Sequence, residues 1–91
     1  IIMEHVKVSD NLNTFKFGKY KDVTAYLITI KFVTDKELQF YFSWMELNVF
    51  QDCLSAGKIF RLSYLGSKDS VLVNPSAITI VVEEVKELTN G

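Results

Sequence analysis

The sequence predicts an α+β domain in which a mostly antiparallel sheet of about five to seven strands surrounds one central α-helix. One segment carries the signals that start and stop a helix, and every other periodic segment has the two-residue period of a strand. In addition, 48% of the 91 residues are apolar, which supplies a core and argues against disorder. A chain of this length forms one domain, residues 1–91, and its sheet either stays open or curls into a barrel.

The predicted helix covers residues 44–56 and is framed by capping signals. Ser43 and Glu46 have the spacing of a capping box, in which the serine hydroxyl and the glutamate carboxylate each accept a backbone N–H at the first turn. Phe42 and Leu47 have the spacing of a hydrophobic staple, and Gly57 supplies the left-handed residue that ends a helix. We therefore expect Ser43→Ala to lower the free energy of unfolding by about 1 kcal/mol.

Apolar residues recur along this helix at steps of three and four. The stripe consists of Trp44, Leu47, Phe50, Gln51 and Leu54, of which all but Gln51 are apolar. Such a stripe is typical of a helix that packs on a sheet, so truncating Phe50 to alanine is expected to cost about 3–5 kcal/mol. Cys53 is interpreted as a small, partly buried hydrophobe, because the dipole near the helix C-terminus disfavours a thiolate.

Four strands are predicted before the helix: Ile1 to Val8, Thr14 to Lys19, Thr24 to Val33 and Glu37 to Phe42. A short polar loop joins the third strand to the fourth, which is typical of a β-hairpin. In the third strand the even-numbered residues, from Tyr26 to Phe32, are expected to share one face.

Three strands are predicted after the helix: Lys58 to Leu65, Ser70 to Val73 and Ile78 to Val85. The order is therefore β-β-β-β-α-β-β-β. In the last strand Ile78, Ile80 and Val82 are expected on one face, with Val81 and Val85 on the other. The tail, residues 86–91, is expected to fray.

The segment Val71 to Ile78 consists of a strand, an Asn-Pro corner and the start of another strand. It resembles the corner found in some small bacterial flagellar-type and phage-borne proteins. The resemblance covers under a fifth of the chain and includes no specific motif, so no function is transferred from it.

The residue inventory argues against an enzyme and against a bound cofactor or metal. His5 and Cys53 are the only histidine and cysteine, and one of each is too few for a zinc site. The four glycines form no phosphate-binding loop pattern. Glu83 and Glu84 are adjacent in a strand, so they face opposite ways and are interpreted as charges that limit edge-to-edge aggregation.

The leading functional hypothesis is a non-enzymatic protein-interaction or accessory module, with a homodimer as its expected form. Apolar residues lie on both faces of several predicted strands, whereas one helix covers only part of one face. The expected interaction surface consists of Leu27, Val33, Ile59, Leu65, Val81 and Val85. The single cysteine, and the lack of an apolar run of the roughly 18 residues that span a bilayer, favour a cytoplasmic protein without membrane contact.

The alternative is a small nucleic-acid-binding protein that uses a basic and aromatic segment. The residues assigned to this role are Lys16, Phe17, Lys19, Tyr20 and Lys21, extended by Lys31 and Arg61. Lysines would pair with phosphates while the aromatic rings stack on bases. A formal net charge of −1 weighs against this alternative.

Overall fold

A computed structural model describes residues 3–11 and 24–87. The elements are β1 (His5–Val8), β2 (Thr24–Phe32), β3 (Glu37–Phe42), α1 (Trp44–Ala56), β4 (Phe60–Tyr64), β5 (Ser70–Val73), a one-turn 3-10 helix (Pro75–Ala77) and β6 (Ile78–Glu87). The α+β class is confirmed, and so are the bounds of the helix. The predicted strand Thr14 to Lys19 lies outside the described residues, whose order is β-β-β-α-β-β-β. β6 continues through Glu87, two residues past its predicted end.

The strands form two three-stranded sheets, ordered β1-β4-β5 and β3-β2-β6. Among the described strands only the β1–β4 pair is parallel, so the prediction of mostly antiparallel pairing is confirmed. The sheets meet at Ser9 and Tyr41, whose backbones exchange hydrogen bonds of 2.9 and 2.7 Å.

A closed barrel does not form. Among the described strands, β5 pairs with β4 alone and β6 pairs with β2 alone, so each sheet keeps a free edge. β5 has only four residues, and Pro75 follows it without an N–H to donate. The chain then turns through the 3-10 helix and runs alongside β2 instead of closing the gap between the sheets.

The core draws on both sheets and on the inner face of the helix. It consists of Val6, Val8, Ile28, Ile30, Phe40, Phe42, Leu47, Phe50, Cys53, Phe60, Leu62 and Val73. Ile28 and Ile30, which were predicted to share one face of β2, are both fully buried in this core. The predicted hairpin is also confirmed, since Ile28 lies opposite Phe40 in the β2–β3 register.

The two ends of α1 differ from each other in how they are capped. Gly57 has φ of 66°, and the N–H groups of Gly57 and Lys58 donate to the carbonyls of Leu54 and Cys53 at 3.2 and 3.0 Å. The predicted Ser43 cap is wrong, because the Ser43 hydroxyl makes no capping hydrogen bond and is buried without a partner. Packing of the surrounding core therefore sets the position of this end.

The predicted helical stripe is only partly correct. Leu47, Phe50 and Cys53 are the buried residues of α1, whereas Trp44 is 62% exposed. Trp44 is the first helical residue, and it lies beyond the part of the helix that the sheets cover. Cys53 is more deeply buried than expected, since only 2% of it is exposed.

Candidate functional site

Among the described elements, β6 has the largest number of exposed large apolar residues. Its exposed apolar residues are Ile80 (52%), Val81 (39%), Val82 (52%) and Val85 (57%). On one side β6 pairs with β2, and no described strand pairs with its other side. The backbone N–H and C=O groups along that outer edge are the type of group to which a further strand adds.

An irregularity near Thr79 determines which way these side chains point. Ile78 lies opposite Phe32, but the register shifts and Ile80 lies opposite Lys31. The bulge inserts one residue into β6, and it is held by the Thr79 hydroxyl, which donates to the Lys31 carbonyl at 3.1 Å. Beyond the bulge the alternation of faces is therefore reversed relative to Ile78.

The reversal corrects the predicted faces of β6. Val81 lies opposite Ile30, so it shares the face of the sheet that packs on α1. Ile80 and Val82 lie on the opposite face, and not on the face of Ile78 as predicted. Both faces of the strand carry exposed apolar side chains. The sequence missed Ile80 and Val82 as surface residues because a one-residue bulge leaves no signal in simple alternation.

The two adjacent carboxylates lie in the second half of β6. Glu83 lies opposite Ile28 and Glu84 lies opposite Leu27, so they point to different faces of the sheet. Both residues are exposed. The exposed apolar residues at 80–82 thus precede a charged segment on the same edge.

The residues of the predicted interaction surface are dispersed. Val81 and Val85 are exposed together on β6, whereas Leu27 is half-buried on the other face of β2. The remaining three lie next to strand ends: Val33 is 63% exposed after β2, Ile59 is 44% exposed before β4, and Leu65 is half-buried after β4. The structure therefore brings two of the six predicted residues together.

Two other apolar areas contain fewer exposed residues than β6 does. Trp44 and Met45 are exposed at the start of α1. A groove of about 260 Å³ separates the turn after β2 from β5, and Val33 and Leu72 lie on its walls. The groove lies beside β5, which is also an edge strand but has only four residues, of which only Leu72 is a large apolar residue that is exposed.

The described residues contain little that resembles a catalytic or metal site. No three His, Cys, Asp or Glu side chains among them lie close enough to hold a metal ion. Cys53 lies beside a pocket of about 190 Å³ with Glu4 and Lys58. Burial and then the negative charge of Glu4 raise the pKa of the Cys53 thiol, which keeps it in its unreactive protonated form.

A cationic face lies on the outer side of the β1-β4-β5 sheet. His5 lies opposite Arg61, and Lys7 lies opposite Ser63. The His5 Nδ1 and the Ser63 hydroxyl are 3.1 Å apart, and Arg61 Nη1 donates to the Ser70 hydroxyl at 2.9 Å. These three strands contain no aspartate or glutamate. The sequence missed His5 and Lys7 because parallel pairing of β1 with β4 is not encoded locally.

The residues predicted to bind nucleic acid do not form one patch within the described part of the chain. Lys16, Phe17, Lys19, Tyr20 and Lys21 lie outside the described residues. Arg61 lies on the cationic face of one sheet, and Lys31 lies on the other sheet opposite the carboxylate-bearing Glu37.

Comparisons of the chain with protein-family models, with curated proteins and with solved structures find no match. Among the described residues, no helix has the length and apolar character needed to cross a membrane.

Proposed function

We propose that this chain is a non-enzymatic protein-interaction module that associates with a second copy of itself through the free edge of β6. The observation that carries the proposal is the exposure of Ile80, Val81 and Val82 on both faces of an edge strand. An antiparallel partner strand would bond the outer backbone groups and cover the flanks of these side chains. A two-fold symmetric dimer is the commonest assembly that uses one surface twice.

The length of β6 and the positions of its bulge and charges support this proposal. Proteins that stay monomeric protect an edge strand with charges, bulges, prolines, short length or a covering loop. β6 has ten residues, and its bulge and its glutamates lie on either side of the segment 80–82. Within residues 3–11 and 24–87, none of these devices protects the centre of the strand.

The oligomeric state tests the proposal. Light scattering at increasing concentration should give a dimer for the wild-type chain and a monomer for Val81→Lys, because pairing would place a charge in the centre of the interface. Val82→Lys, on the opposite face, should act in the same way. Val33→Lys is the matched control, since Val33 is 63% exposed but lies outside β6, and it should remain dimeric.

Two results would contradict the proposal. One is a wild-type chain that is strictly monomeric at high micromolar concentration. The other is loss of the dimer in Val33→Lys but not in the two β6 variants. Circular dichroism of each variant establishes that the fold is intact before the oligomeric states are compared.

Nucleic-acid binding is retained as a second candidate function because of the cationic face. Lys7 and Arg61 lie on paired strands in diagonal positions, where side chains are about 7–8 Å apart, and both are residue types that contact phosphate oxygens. The Glu46 carboxylate accepts the Lys7 backbone N–H at 3.3 Å, so one acidic group lies close to this face.

Fluorescence anisotropy with a single-stranded oligonucleotide at low salt tests this candidate. Lys7→Glu and Arg61→Glu should weaken binding, and the affinity of the wild type should fall steeply with salt. Lys36→Glu, in the turn between β2 and β3, is the control on the other sheet. Absence of wild-type binding at low salt, or equal weakening by the control, would eliminate nucleic-acid binding through this face.

A further inference from the structure

We infer that two copies pair their β6 strands antiparallel about a two-fold axis at Val81, which gives one sheet in the order β3-β2-β6-β6-β2-β3. The inference rests on the proposed self-association and adds the register of the contact. It follows from the positions of apolar and charged residues along the edge.

Symmetry limits the registers that are available. An antiparallel edge-to-edge pair is related by a two-fold axis perpendicular to the sheet, and this axis leaves each side chain on its own face. Residues that lie directly opposite each other also share a face. The axis must therefore lie midway between one residue of β6 and the copy of that residue in the partner strand, so each candidate register is named by one residue.

Like charges exclude the registers in the second half of the strand. An axis at Glu83 or at Glu84 places that carboxylate directly opposite its own copy, which destabilises a strand pair. An axis at Val85 or beyond leaves the segment 80–82 opposite positions outside β6, which ends at Glu87. The exposed apolar residues would then remain uncovered.

The remaining registers differ in what they place opposite the apolar residues. With the axis at Val82, Val81 lies opposite Glu83 and Ile80 lies opposite Glu84. With the axis at Val81, Val81 lies opposite its own copy and Ile80 lies opposite Val82, so apolar side chains meet on both faces. With the axis at Ile80, only residues 78–82 of each strand are paired, so the strand pair is shorter. The Val81 axis therefore places the exposed residues 80–82 opposite one another, while Glu83 and Glu84 lie opposite Thr79 and Ile78 at the bulge and not opposite each other.

Disulfide trapping tests the register. Directly opposite Cα atoms in an antiparallel pair are about 4.5–5.5 Å apart, within the range of about 4.4–6.8 Å that a disulfide spans. Mild oxidation should therefore crosslink Val81→Cys into a covalent dimer. Val82→Cys should not crosslink with itself, because its copy is in a diagonal position about 7–8 Å away. A mixture of Ile80→Cys and Val82→Cys should give the mixed disulfide.

The outcomes of the crosslinking experiment test the register separately from the proposed self-association. The wild-type chain is the control for Cys53, which is 2% exposed and should not crosslink. Efficient crosslinking of Val82→Cys but not of Val81→Cys would overturn the register while leaving edge pairing and the proposed function intact. No crosslink in either variant, together with a monomeric wild type by light scattering, would overturn both. A dimeric wild type without any β6 crosslink would show that another surface is used.

Discussion

Phe50 is the side chain that joins the helix to both sheets. Its ring contacts Phe40 and Phe42 of β3 at centroid distances of 6.0 and 5.4 Å. On the other side it meets Phe60 of β4 at 5.6 Å with the rings nearly perpendicular. Edge-to-face contacts of this kind add to the free energy gained by burying the ring. Phe50 therefore contacts both sheets, and it adds to the Ser9–Tyr41 backbone bridge that joins them.

Truncation of this ring should be costly. Phe50→Ala is expected to lower the free energy of unfolding by about 3–5 kcal/mol, because it leaves a cavity among three other phenylalanines. Trp44→Ala is the matched control, since Trp44 belongs to the same helix but is 62% exposed, and it should change stability by under about 1 kcal/mol. Urea denaturation measures both, and similar losses in the two variants would show that the assignment of the buried face is wrong.

The Cys53 thiol should make stability depend on alkaline pH. Burial, followed by the charge of Glu4, raises its pKa in the folded chain above the ordinary value of 9.0. The unfolded chain therefore loses this proton first as the pH rises. The stabilising contribution is complete below pH 9.0 and is lost between that value and the higher pKa of the folded state.

Tyr64 contributes in the same direction at higher pH, because burial and then Asp10 raise its pKa above 10.0. The free energy of unfolding, measured by urea denaturation from neutral to alkaline pH, should fall less steeply above pH 9 in Cys53→Ala than in the wild type. The comparison uses the slope and not the absolute stability, so a packing loss in the variant does not affect it. Equal slopes in the two proteins would contradict this prediction.

The ends of the helical elements show that a capping motif can predict where a helix begins without predicting its hydrogen bond. The spacing of Ser43 and Glu46 locates the start of α1 correctly, yet the predicted Ser43 hydrogen bond is absent. Ser43 is 6% exposed and its hydroxyl is enclosed, so the side chain is oriented by packing and not by the free N–H groups of the first turn. At the 3-10 helix, by contrast, the Asn74 side chain accepts the Ser76 N–H at 3.1 Å.

Substitution of these two residues should therefore have different effects. Ser43→Ala removes a buried hydroxyl that has no partner, so we expect stability to be unchanged or raised by up to about 1 kcal/mol. This expectation replaces the loss of stability that the capping motif predicted for Ser43→Ala. Asn74→Ala removes a capping hydrogen bond and should cost about 1 kcal/mol. Chemical denaturation of both variants checks the pair, and a clear loss in Ser43→Ala would restore the capping interpretation.

Strand prediction succeeded where pairing is local and failed where it is not. The β2–β3 hairpin is set by alternation and a short turn, both of which are visible in the sequence. The faces of β6 were wrong because the bulge at Thr79 reverses the alternation, and bulge formation depends on the neighbouring strand. For the same reason the candidate surface was only half predicted: Val81 and Val85 were named, whereas Ile80 and Val82 were placed on the face of Ile78 and left out of the predicted surface.

At the scale of the whole molecule, the sequence left open whether the strands close into a barrel. Closure depends on contacts between distant segments, such as the parallel pairing of His5 with Arg61, which no local pattern specifies. The pairing that the described strands adopt leaves β5 and β6 as edge strands of the two sheets. The apolar residues of the described strands are therefore divided between a core shared by the two sheets and an exposed edge strand.

Self-association at that edge should make thermal stability depend on protein concentration. A dimer that forms only from folded chains stabilises the folded state by mass action, so the wild-type Tm should rise as the concentration increases. Val81→Lys should melt at a Tm that is independent of concentration and close to the wild-type value at high dilution, because Val81 is partly exposed and little of the core is lost. Val33→Lys should keep the wild-type dependence. Calorimetry over a hundredfold range of concentration measures all three, and a wild-type Tm that does not move would show that folding and association are not coupled through β6.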